Sequence, residues 1–202
     1  MPHTLPPHVH TWLTAHGWHP ARDIGRAATD AIADRKRQLE GQVYPFTYEP
    51  PATIEPFLRS YGLLELPHPG APEVLFCLDP RIAYPHDGEE IGELAENLGV
   101  AVFPVGYITE EGSVLVMDAL GRVFELHHTG AYFRGADVAE AFASLCGSEV
   151  PADAEEYYRV GRRPTWTRRK APTPPAPTPS APVKPRPSGT RTSPAPPAAG
   201  GP

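Results

Sequence analysis

The sequence predicts an α+β fold: an antiparallel meander flanked by amphipathic helices and followed by a disordered C-terminal tail. Three observations predict it. Four short apolar stretches between residues 100 and 134 follow one another with glycine-bearing turns between them, as consecutive hairpins require. Helical spacing of apolar residues is found outside this block, so that strands are grouped and not alternated with helices. From Gly161 onward the composition changes. That segment holds 13 of the 28 prolines and no Asp, Glu, Phe, Leu, Ile or Tyr. Such a composition cannot bury enough apolar surface to offset its ordering entropy, so residues 161–202 are expected to be disordered, with polyproline-II character. The folded domain is expected over 3–160.

The elements follow in order. Val9, Trp12 and Leu13 share a helical face, and Gly17 stops that helix. A second helix is expected from about Ala21 to Leu39, with Pro20 at its entry and Arg22 and Asp23 in its first turn. The prolines of "YPFTYEPP" break a ladder, so this stretch is irregular. Ile54, Phe57, Leu58 and Tyr61 mark a third helix, which Gly62 ends, and "LLEL" begins extended structure. "EVLFCL" (73–78) is a short apolar run and is read as a buried strand. Asp87 is expected to cap a fourth helix with Glu90 as its capping-box partner. Ile91, Leu94, Ala95 and Leu98 form its buried face and Gly99 closes it. "VAVFPVGYI", "SVLVMDA", "RVFELHH" and "AYFR" are the meander strands. "TEEG" and Asp118-Ala119-Leu120-Gly121 are turns between them. Asp137 and Glu140 cap a last helix that carries Val138, Ala141, Phe142 and Leu145. Trp18 is expected to pack between the first two helices and the sheet.

The net charge of −6 conceals a division. Eight of the 18 Lys and Arg lie in 161–202 and none of the 24 Asp and Glu does. Residues 1–160 therefore carry 10 basic and 24 acidic side chains, a net −14. Such a domain repels nucleic acid and is steered towards basic partners, although acidity also serves solubility. Glu89, Glu93 and Glu96 fall at i, i+4 and i+7 on the fourth helix, with Glu110 and Glu111 at a hairpin tip. Like charges at this spacing cost a few tenths of a kcal/mol. The stripe is thus a partner-facing surface or a solvated face, and these five glutamates are the candidate contacts.

Catalytic and metal chemistry find little support. Nine histidines are present, but His8 and His10 face different ways on a helix and His127 and His128 point to opposite sides of a strand. His16 and His19 straddle a helix stop, so no three or four ligands converge as zinc requires. GxSxG, GxGxxG, Walker A and the HxE…PCxxC deaminase pair are all missing. Cys146 reads as a small buried helix residue. No cofactor, metal or catalytic residue is expected. Cys77 and Cys146 form no disulfide framework, residues 1–11 have no signal-peptide pattern, and no apolar run approaches a membrane span. A cytoplasmic location without membrane contact is the expectation. Oligomeric state is not readable.

The order of "AHGWHPARDI", "IEPFLRSYGLLEL", "LDPRIA", "LAENLGVAVFPVGYI", "SVLVMDALGRVFEL" and "VAEAFASLCG" resembles the SUKH superfamily of bacterial immunity proteins, its third subgroup, over about residues 9–148. The resemblance implies a curved antiparallel sheet flanked by helices. It further implies a non-catalytic protein-binding module that neutralises a cognate polymorphic toxin, often a nuclease or nucleic-acid deaminase. A basic toxin surface would suit the acidic domain, which is not itself expected to touch nucleic acid. The residues that carry the resemblance are Gly17, Trp18, Pro20, Arg22, Phe57, Gly62, Pro104, Gly106, Asp118 and Gly121, and they are expected to be structural. Two departures stand out. Tyr61-Gly62-Leu63 replaces an FGG-type turn, which touches local packing, and the basic Pro-rich tail lies outside the pattern. An alternative role is a regulatory scaffold whose tail recruits a partner.

Overall fold

The computed structural model describes residues 4–147 and 150–159. The expected tail, 161–202, lies outside the described residues. The elements run α1 (Pro7–Ala15), α2 (Arg26–Glu40), α3 (Ile54–Tyr61), β1 (Glu65–His68), β2 (Ala71–Cys77), α4 (Asp87–Leu98), β3 (Val102–Ile108), β4 (Ser113–Asp118), β5 (Val123–His127), β6 (Gly130–Gly135), α5 (Val138–Cys146) and β7 (Ala152–Asp153), then a 3-10 turn (Ala154–Tyr157). The fold is α+β, with a sheet that follows sequence order from β1 to β7. Each neighbouring pair of strands is antiparallel. Register shifts at Pro67/His68, Pro104/Gly106 and Val123/Phe124 bend the strands, and the sheet is curved and open.

The meander is built as its alternation predicts. Leu115, Glu125 and Tyr132 form one cross-strand row, and Val116, Phe124 and Phe133 form the next. The central strands β3, β4 and β5 are buried over nearly their whole length because other elements cover both faces. Trp12, Phe76 and Phe142 meet at about 6.1 Å between ring centroids, and Tyr61 lies 5.0 Å from Phe142. This aromatic cluster joins α1, α3 and α5 to β2. Gly106 in β3 is required by close approach: a Cβ there would lie 2.7 Å from the Cys77 carbonyl of β2.

Four expectations are corrected. The second helix begins at Arg26, not near Ala21. Residues 21–25 form a turn instead, closed by the Gly25 amide on Asp23 Oδ1 at 2.7 Å and by the Ile24 amide on the Arg59 carbonyl at 2.9 Å. Asp87 does not cap α4. His86 occupies the cap position with φ of 73°, and the Asp87 carboxylate turns inward. Trp18 packs between α1 and α3, not against α2 and the sheet. Its ring stacks on Tyr61 at 5.7 Å and meets His10 edge-on at 5.5 Å. The extended stretch after Gly62 becomes a full hairpin, β1–β2, and the chain returns after α5 to add β7.

Beyond α5, the strap 150–159 closes the far side of the sheet. Tyr157 stacks on Phe133 at 4.0 Å, Ala154 is fully buried, and the Arg159 amide donates to the Asn97 carbonyl at the end of α4. Leu63, where the FGG-type turn is missing, takes φ of 61°. A side chain in that conformation costs roughly 1–2 kcal/mol.

Candidate partner-binding surface

The residues of the opening corner converge on one helix end. Gly17, with φ of 90°, turns the chain out of α1. Arg22 then donates from Nη1 to the Ser60 carbonyl and from Nη2 to the Gly62 carbonyl, both at 2.7 Å. Those carbonyls belong to the last turn of α3, where helix geometry leaves acceptors unsatisfied. Trp18 Nε1 adds a bond to Ser60 Oγ at 3.3 Å. Phe57 lies in the same helix, and its ring is 6.4 Å from Phe142. Pro104 and Gly106 flank the β3 bulge. Asp118 organises the β4–β5 turn: its Oδ1 accepts from the Leu120 and Arg122 amides at 2.9 Å, and its Oδ2 accepts from Arg122 Nε at 2.6 Å.

A groove of about 930 Å³ runs between α2 and α3 beside this corner, lined by Pro20, Ile32, Lys36, Pro51, Pro56 and Arg59. Its cations are matched locally. Arg59 pairs with Asp23 and with Glu55, and Lys36 pairs with Glu49 and Glu40. The Arg59 partnership holds the Asp23 carboxyl below its ordinary range. No net charge is left to select a partner.

Helix α4 differs. It carries five carboxylates and no basic residue. Asp87 is fully buried against Arg35 of α2, itself 1% exposed. Gln42 Nε2 donates to the other Asp87 oxygen at 3.1 Å, and Gln42 Oε1 accepts from the Gly88 amide at 3.0 Å. Tyr48 donates to the Gly88 carbonyl at 2.9 Å, and burial pushes its hydroxyl up to about 12. Glu90 turns towards Tyr84, whose O–H donates to it. Burial raises the Glu90 carboxyl above its ordinary range; the Tyr84 bond opposes this, while Asp87 and Glu89 add to it. These contacts fix the helix on the body. Sequence reasoning missed both of them. The signal for the first was Arg35 standing in the otherwise apolar line Ala28, Ala31, Leu39.

The remaining carboxylates of α4 form the outer line. Glu89 and Glu93 are half-buried and Glu96 is exposed. The other two candidates, Glu110 and Glu111, are exposed on the β3–β4 hairpin, where Glu111 Oε2 sits 3.4 Å from His127 Nε2 of β5. The helix set and the hairpin set are thus two separate acidic features, each on its own element. His127 Nδ1 lies 2.7 Å from Thr129 Oγ1.

Chemistry beyond binding finds few tools here. Neither the α2–α3 groove nor a smaller one beside α4 is lined by histidine or cysteine. Cys77 and Cys146 are free thiols, and burial pushes Cys146 up to about 11, which disfavours the thiolate a nucleophile needs. Among the described residues no group of three His, Cys, Asp or Glu side chains could hold a metal, and no helix is long and apolar enough to cross a membrane.

The model of a family described as SUKH-3 immunity protein matches residues 5–148, which spans α1 to the end of α5. No curated protein and no solved structure matches the chain.

Proposed function

The chain belongs to the SUKH-3 immunity protein family, and from that premise we propose that it binds and neutralises a cognate polymorphic toxin that acts on nucleic acid. The role is non-catalytic and cytoplasmic. The observation that carries this reading is the charge: residues 1–160 hold 24 acidic against 10 basic side chains. Toxins that act on nucleic acid need a basic cleft to hold phosphate, and an acidic surface is steered into such a cleft and competes for it. The contacts we assign are Glu89, Glu93 and Glu96 on α4, with Glu110 and Glu111 on the neighbouring acidic hairpin tip. Gly17, Trp18, Pro20, Arg22, Phe57, Gly62, Pro104, Gly106, Asp118 and Gly121 serve the frame that presents them.

The test is co-expression with the toxin domain encoded beside this gene. The chain is expected to restore growth, and to do so without residues 161–202. Loss of protection on that deletion would favour the second reading, supported by the tail's proline-rich basic composition, in which the tail recruits a partner to a regulatory scaffold.

A further inference from the structure

Helix α4 carries a second line of residues beside its acidic one. Gly92, Ala95 and Gly99 follow one another at i, i+3 and i+7, and they floor a groove of about 330 Å³. Pro45 and Phe46 form one wall, Val100 closes the end, and Glu96 stands on the rim. The groove exists because residue 92 has no side chain. A Cβ there would lie 2.1 Å from the Phe46 ring, so the ring rests directly on helix backbone. A pure apolar slot would accept any apolar side chain. A carboxylate on its rim favours one kind: a long aliphatic stem that ends in a cation. An anionic segment would be repelled by Glu89, Glu93 and Glu96.

Resting on the toxin-binding reading above, we propose that this groove seats one Arg or Lys side chain of the basic partner, its stem against Phe46, Ala95 and Val100 and its head at Glu96. Interface energy concentrates in such anchored side chains, with rim charges contributing mainly steering. The groove is then the anchor and the α4 glutamates are the guide.

Titration of the full-length protein with a hexa-arginine peptide, followed by amide NMR, tests this. Shifts are expected to concentrate at residues 45–48 and 92–102. Ala95→Met fills the groove without changing charge and is expected to weaken binding about tenfold. Val100→Lys, which places the chain's own stem in the slot, gives the same result by a route that leaves the helix untouched. Circular dichroism melts check that both variants are folded. If both bind like the unmodified chain while Glu89→Gln/Glu93→Gln/Glu96→Gln binds weakly, the groove proposal is overturned and the acidic-surface reading stands. If none of the three changes binding, both fail together.

Discussion

Asp87→Ala tests how α4 is held. The native carboxylate is 0% exposed and accepts from Arg35 and Gln42, which come from α2 and the segment that follows it. Removing it leaves a guanidinium that is 1% exposed, with only the Gln38 bond at 3.2 Å on its Nη1. An uncompensated buried charge costs about 3–5 kcal/mol. The orphaned Gln42 amide costs about 1–3 kcal/mol by itself, but it belongs to the same network, so the two do not add. We expect a loss of about 4 kcal/mol, a large part of the roughly 5–15 kcal/mol that a domain possesses. Urea unfolding followed by tryptophan fluorescence measures it. The double change Arg35→Met/Asp87→Leu replaces the pair with apolar volume and is expected to cost far less than Asp87→Ala alone. A double variant that loses as much as the two single changes combined would refute the reasoning, as would an Asp87→Ala loss below about 1 kcal/mol.

Two further outcomes are expected. Trp18→Ala empties the contact with Tyr61, His10 and Ser60 at a site only 6% exposed. It is expected to cost about 3–5 kcal/mol by denaturant unfolding, and little change would mean the ring has no packing role. Glu90→Gln probes the raised carboxyl. A raised folded-state value means that the native state favours the protonated acid. The contribution is fully present below about pH 4.5, the ordinary value, and is lost as pH rises through the folded one. Glu90→Gln is therefore expected to melt higher than the unmodified chain at pH 7 and to match it near pH 4. Parallel melting curves across that range would contradict the assignment.

The parts legible in the sequence were those fixed by local pattern. Strands β3 to β6 follow from apolar alternation and from the turns at Gly112 and Gly121, and α5 follows from Asp137, whose Oδ1 caps the Ala139 and Glu140 amides. The parts that were not legible depend on distant partners. Asp87 has the residue type of a helix cap, yet its fate is decided by Arg35, 52 positions away. Pro20-Ala21-Arg22 looks like a helix entry, but Arg22 is drawn to the end of α3, and Gly25 starts the helix late. Strand β7 is two residues long and too short to carry a period. The α4 groove rests on Gly92 meeting Phe46, a contact that no spacing rule announces. The acidic line on α4 was readable because glutamates at i, i+4 and i+7 share a helix face wherever the helix lies.

The central claim is that the acidic surface of this immunity protein engages its toxin. The measurement that tests it most directly is protection by a variant in which Glu89, Glu93, Glu96, Glu110 and Glu111 are all changed to Lys, co-expressed with the toxin domain and checked for an unchanged melting temperature. The account predicts that the folded variant no longer protects and no longer forms a complex with the toxin. Full protection by that variant would contradict it.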